Sequence, residues 1–191
     1  MPTAEFATRG RERILQAALS EFAVGGFDRV TTRDIGRAAG VSSPALYRHY
    51  CSKHELGVDL YRRCYAKMID AARQAEKAST ALTKLQSYVA EQVFLFEREP
   101  LVILYVDEHQ HRFWPLVSAE FEPATMSGIV MQWVAQGRKD GSLSITEDIA
   151  AQTALVLGLA SQWVAMSRQG LVRADAAKDL ALLIGRALER V

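Results

Sequence analysis

The sequence predicts an all-α chain, in which an amino-terminal three-helix unit built around a helix-turn-helix is followed by a six-helix body. Three observations carry this expectation. Apolar residues recur at three- and four-residue spacing between turn signals, and no segment reads as a convincing strand. Residues 30–56, VTTRDIGRAAGVSSPALYRHYCSKHEL, hold two short helical patterns around a glycine turn and then the start of a third helix. A chain of 191 residues, 49% hydrophobic and 24% charged, can bury a substantial core.

Taken in order, residues 1–8 are expected as a loose arm and the first helix from about Arg11 to Val24. Ile14, Leu15, Ala18 and Phe22 form its apolar side, and Gly25-Gly26 ends it. Phe27 and Val30 are expected to plug the small core beneath the next two helices. Thr31 caps the second helix, with Asp34 at N3 where the helix dipole favours an acid. Gly40 stops that helix in a left-handed conformation. Ser42 or Ser43 caps the third, Pro44 fits its first turn, and Leu46 and Tyr50, four apart, face inward. Ser52 and Glu55 make a capping box, S-x-x-E, opening a long helix from Lys53 to about Gln74. Leu56, Leu60, Cys64, Met68 and Ala72 repeat every four residues along it.

Further helices are expected over Ala81–Glu97 and over Leu101–Arg112, the latter broken at Trp114-Pro115. Another is expected over Ala119–Gln136, with Pro123 pointing to a later start, and another from Thr146, with Asp148 close behind, to Ser167. The last is expected over Asp175–Leu188. No run is apolar for the ~18–20 residues of a membrane span, and MPTAEFATRGRER lacks the apolar centre of a signal peptide. Cys51 and Cys64 have no metal or redox spacing, which suits a reducing cytoplasm. Net charge is only +1, but residues 1–54 hold eight basic against five acidic residues, so the remainder is slightly acidic. That bias supports nucleic-acid contact at one end.

Two short helices around a glycine turn form a helix-turn-helix, whose second helix enters the DNA major groove. On TTR, AGVS, LYRHY and SK, each in register, residues 10–57 resemble the DNA-binding signature of the TetR/AcrR family of bacterial transcriptional regulators. Gly36 departs from the family's more frequent alanine, at a cost on the order of 1 kcal/mol within a helix. The resemblance implies a DNA-binding domain over residues 1–54 and an effector-binding and dimerisation domain over residues 55–191. It also implies a homodimer on a palindromic double-stranded operator.

The DNA-contact candidates are Thr32, Arg33, Ser43, Pro44, Ala45, Tyr47, Arg48, His49 and Lys53. By resemblance, Ser43, Pro44 and Ala45 lie at the leading end that meets base edges, where apolar groups touch thymine methyls. Tyr47 and His49 match positions associated with backbone or bases. Lys53, with the amides at its helix start, is expected at a phosphate, and Arg33 at a phosphate or guanine. Arg9, Arg11 and Arg13 are weighed equally as phosphate contacts and as solvated charges.

In the body, the apolar stripes Leu155, Leu159, Trp163 and Leu183, Ile184, Ala187 are expected to pack against a second copy, with Gly158 and Ala160 allowing close approach. Tyr65, Met68, Tyr88, Phe94, Tyr105, His109, Phe113, Trp114, Met131 and Trp133 are the candidate lining of an effector pocket, which suits a small apolar or aromatic molecule. The run LVILYVDEHQHRF faintly resembles regulators answering to acyl-CoA thioesters. No cofactor or metal is expected, nor catalysis: there is no nucleophile motif, phosphate loop or dinucleotide fingerprint. The readings weighed are a ligand-released repressor, an activator or co-repressor-dependent regulator of the same fold, a helical protein-interaction module, and a metal-assisted enzyme using Glu108 and His111.

Overall fold

The computed structural model describes residues 4–143, 148–172 and 176–188. These residues are helices joined by turns, without a strand among them: α1 (Ala4–Gly25), α2 (Thr32–Ala39), α3 (Ser43–Tyr47), α4 (Lys53–Gln74), α5 (Ala81–Arg98), α6 (Pro100–Phe121), α7 (Met126–Asp140), α8 (Ile149–Arg168) and α9 (Ala176–Leu188). Packing separates two compact units, one of residues 1–66 with 100–119, the other of residues 67–99 with 120–191. This partition follows contacts, whereas the expected boundary at 54/55 is one of function.

In the first unit, Ile14, Ala18 and Phe22 of α1 are buried with Ile35, Leu46, Tyr50 and Leu56, as their spacing requires. Aromatic rings extend this core. Phe27 lies 4.8 Å from Phe22 and 5.3 Å from Phe113 between ring centres, and Tyr105 donates its hydroxyl to the Gly57 carbonyl at 3.3 Å. Gly57 lets these rings approach: a Cβ there would stand 2.6 Å from Phe27 and 2.8 Å from Phe113. The α1 helix begins at Ala4, so helix and not a loose arm occupies residues 4–8.

One expected break is absent. Pro115 sits inside α6, which runs on to Phe121. The proline removes one hydrogen bond to the carbonyl of exposed His111, where water can replace it. Phe113 and Val117, both fully buried, flank it and hold the helix on its core. Consequently α7 starts at Met126, later than Ala119, with Thr125 Oγ1 accepting from the Gly128 amide at 3.0 Å.

In the second unit, α5 packs against α7, α8 and α9. Asp148 caps α8 by accepting from the amides of Ala150 and Ala151. Thr146 and Asp175, the expected helix starts, lie outside the described residues. Among the described helices, α8 alone is long and apolar enough to cross a membrane. Cys51 is exposed and Cys64 buried, and no disulfide joins them.

Candidate nucleic-acid interface

The helix-turn-helix is fixed by its caps. The Thr31 hydroxyl accepts from the Asp34 amide at 3.2 Å while the Asp34 carboxylate accepts from the Thr31 amide at 3.1 Å. These bonds to Thr31, from its hydroxyl and then its amide, hold the Asp34 carboxyl below its ordinary pKa. Gly40 closes α2 at φ +62°, the left-handed region, and returns its amide to Arg37 and Gly36 carbonyls. Gly36 has a packing reason too: the Val41 carbonyl lies 3.2 Å from where its Cβ would be. Ser42, rather than Ser43, caps α3, accepting from the Ala45 amide at 3.3 Å. At the start of α4, Ser52 accepts from the Glu55 amide, but Glu55 reaches the Cys51 amide instead of Ser52's own.

With Leu46 and Tyr50 buried, α3 exposes Ser43, Pro44, Tyr47 and Arg48, and leaves Ala45 half-buried. The Tyr47 hydroxyl, on a side chain about half exposed, is 3.1 Å from the Thr32 hydroxyl, joining the end of α3 to the start of α2. Arg33 is exposed beside it. His49 is half-buried against α1, its Nε2 3.3 Å from the position a Cβ on Gly10 would take.

Several of the basic residues have other work. Lys53 Nζ donates to the carbonyls of Phe27 (2.7 Å), Asp28 (3.1 Å) and Val30 (3.0 Å), so its three hydrogens are engaged. Its ammonium closes the α1–α2 turn and is not presented to a phosphate; that expectation is corrected. Arg13 donates to the Ala39 and Gly40 carbonyls and finishes α2 electrostatically. Arg29 does the same for α1 at Gly25. Arg11 donates to the Tyr50 hydroxyl at 3.0 Å. Arg33 and Arg48 have no hydrogen-bond or ion-pair partner among the described residues.

Sequence reading missed a buried carboxylate in the same unit. Asp59, 7% exposed, accepts from the Tyr50 hydroxyl at 2.7 Å, lies 3.2 Å from Arg11 Nη2, and is bonded by Arg62 and Arg63. Arg63 also bonds Glu12 of α1 at 2.6 Å. Burial pushes the Tyr50 hydroxyl up to about 12, so it stays a donor to Asp59. The available signal was position: Asp59 follows Leu56 by three, on the apolar side of α4.

The ten pocket candidates divide between the two units. Tyr65, Tyr105, His109, Phe113 and Trp114 belong to the first, where their rings are in contact: Tyr65–Trp114 at 4.7 Å and Tyr105–His109 at 4.6 Å. Met68, Tyr88 and Trp133 belong to the second, Tyr88 meeting Trp133 edge-on at 6.3 Å. Phe94 and Met131 are 51% and 42% exposed, and so are surface residues of the single chain. Of the interface candidates, Leu155, Leu183 and Ala187 are exposed and Leu159 half-buried. Trp163 and Ile184 are instead buried in their own unit, Trp163 edge-on to Phe96 at 5.6 Å. An apolar groove of 470 Å³ runs beside them, lined by Leu159, Trp163, Met166, Leu171, Leu180 and Leu183. Asp107, Glu108 and His111 are exposed, and among the described residues no three metal-ligating side chains converge.

A capped recognition helix with an exposed polar and basic face, carried on an all-helical chain, defines a helix-turn-helix DNA-binding protein. Comparison with known proteins makes this specific. Residues 14–58 match the family described as bacterial regulatory proteins, tetR family. The chain is 28% identical over 144 residues to the transcriptional repressor KstR2 of Mycolicibacterium smegmatis, covering 73% of this chain and 70% of that one. It is 29% identical over 116 residues to the transcriptional activator FasR of the same species, covering 60% and 53%. A TetR-family regulator structure from Marinobacter aquaeolei superposes with a TM-score of 0.83 at 20% identity, over 98% of this chain and 100% of the other. The chain carries the DNA-binding segment of the tetR family of bacterial regulatory proteins at residues 14–58. It is a DNA-binding transcriptional regulator, not an enzyme.

Proposed function

We propose that this regulator is a homodimeric repressor that leaves a palindromic operator when a small apolar or aromatic molecule, an acyl-CoA among the classes considered, binds its helical body. The observation that carries the DNA half is the exposed face of Arg33, Ser43, Pro44, Tyr47 and Arg48, edged by half-buried Thr32 and Ala45 and held by paired caps on both sides of Gly40. Ser43, Pro44 and Ala45 meet base edges, Arg33 and Arg48 meet phosphates, and the Tyr47–Thr32 pair sets the spacing between them.

The dimer reading is supported by the exposed leucines of α8 and α9 beside the apolar groove. A two-fold pair would place its recognition helices about one DNA turn, ~34 Å, or a multiple apart. Effector bound in the body, with Tyr88 and Trp133 as candidate contacts, favours a population in which α4 is displaced and that spacing no longer matches. The regulator acts in the cytoplasm, where its operator is.

The test is enrichment from a genomic fragment library by wild type and by an Arg33→Ala, Arg48→Ala variant. Recovery of a palindrome by wild type alone supports the reading, and its genomic neighbours name the effector class. A wild type that enriches nothing at low salt removes the operator-binding claim. The similarity to an activator gives one second reading, activation from the same operator. A reporter that rises instead of falling when the regulator is expressed decides for it.

A further inference from the structure

Resting on the operator-binding reading, we propose that Asp59 is a positioning residue for DNA recognition. Through the Tyr50 hydroxyl it sets the angle between the recognition segment and α4, without touching DNA itself. Tyr50 is the structural tail of α3. Its amide and that of His49 both return to the Leu46 carbonyl, at 3.1 and 2.9 Å, so residues 48–50 form a hydrogen-bonded turn anchored on the recognition helix. Its ring is 1% exposed and cannot swing.

One oxygen then joins three elements. The Tyr50 hydroxyl accepts from Arg11 of α1 at 3.0 Å and donates to Asp59 of α4 at 2.7 Å. Arg11 also stacks over the Tyr50 ring at 5.6 Å and lies 3.2 Å from Asp59. Asp59 is six residues into α4, about 9 Å along its axis, and at 7% exposed it is largely withdrawn from the surface. Arg62 and Arg63 hold the carboxylate from its own helix, and Arg63 ties it back to α1 through Glu12.

Such a joint matters because base readout depends on side chains placed to within about 0.5 Å, which the supporting residues must enforce. Phosphate contacts tolerate more play, since they are largely electrostatic. Loosening the joint should therefore degrade discrimination between sequences more than overall affinity. A residue that only stabilised the fold would lower both in proportion to the folded fraction.

The experiment uses the full chain as wild type, Tyr50→Phe and Asp59→Asn. Each is titrated with the duplex that wild type enriches and with a random-sequence duplex of equal length, over a salt series well below its melting midpoint. Tyr50→Phe keeps the buried ring, so it stays folded even if Asp59→Asn does not. The expected result is a specific-to-random ratio lower by about tenfold, the equivalent of one hydrogen bond to a charged group, with the salt slopes unchanged. An unchanged ratio in folded Tyr50→Phe overturns the proposal, as does an equal loss on both duplexes. If wild type prefers no duplex, the operator-binding reading has failed and this inference falls with it, a result visible before any variant is made.

Discussion

Lys53 holds Phe27 twice: its Nζ donates to the Phe27 carbonyl at 2.7 Å and lies 4.9 Å from the centre of the same residue's ring. Two further carbonyls, of Asp28 and Val30, complete the coordination of the ammonium. A lysine at the mouth of a helix beside a DNA-reading segment thus acts on the protein's own backbone. Lys53→Met should keep the stem packing but leave these carbonyls without their donor, costing about 1–3 kcal/mol in urea denaturation. The salt slope of DNA binding should not change. A slope reduced by about 0.9 would mean that the ammonium reaches a phosphate after all.

Arg33 and Arg48 carry the opposite expectation. Both are exposed and unengaged by hydrogen bonds or ion pairs among the described residues. Arg33→Ala and Arg48→Ala should leave the melting midpoint within error and weaken specific and random DNA alike, each lowering the salt slope by about one. Fluorescence anisotropy across a salt series measures both quantities. A loss confined to one sequence would make that arginine a reader of bases.

These two cases show what was legible in the sequence. Local features were: the Thr31 cap with Asp34 at N3, Gly40, and the inward Leu46 and Tyr50 all follow from spacings of four residues or fewer, although the reciprocal bond that makes Thr31 and Asp34 a capping box was not read. The fate of charged side chains was not, because partners such as Arg11 and Asp59 are brought together by tertiary packing. Nor was the continuity of α6. Pro115 reads locally as a breaker, and the burial of Phe113 and Val117 that overrides it is visible only in three dimensions. The burial of Trp163 and Ile184 in their own unit was hidden for a related reason: on an apolar helix, periodicity does not say which stripe the chain itself covers.

The exposed leucines of α8 and α9 give a prediction about assembly. Leu183 is 51% exposed at the edge of the 470 Å³ groove. In a two-fold interface each substitution occurs twice. Leu183→Glu should therefore cost the dimer about 1.5–3 kcal/mol, from about 0.8–1.5 for each half-exposed leucine removed from cover. Sedimentation equilibrium should show a monomer at concentrations where wild type is dimeric, with far-UV circular dichroism unchanged. A variant that stays dimeric would place the interface on another face.

His109 links the stability of the first unit to pH. Its ring is buried among Phe27 at 5.6 Å, Tyr105 at 4.6 Å and Phe113 at 5.8 Å. Burial, the largest influence, lowers its pKa below the ordinary value of about 6.5, and Arg112 lowers it further against the opposing pull of Glu108 and Asp28. Nearby, Arg112 holds Asp28 through two bonds, at 2.8 and 3.0 Å. Above pH ~6.5 the imidazole is neutral in both folded and unfolded chains and has no pH-dependent effect on stability. As pH falls below that value the unfolded chain takes up the proton first, so stability declines until the folded pKa is passed and is then level. The limiting slope for one such site is about 1.4 kcal/mol per pH unit. His109→Phe retains an aromatic ring but cannot be protonated, so its unfolding free energy should fall less than that of wild type between pH 7 and 5. Parallel curves would mean that the folded imidazole titrates as freely as the unfolded one, and that the aromatic enclosure opens readily to water.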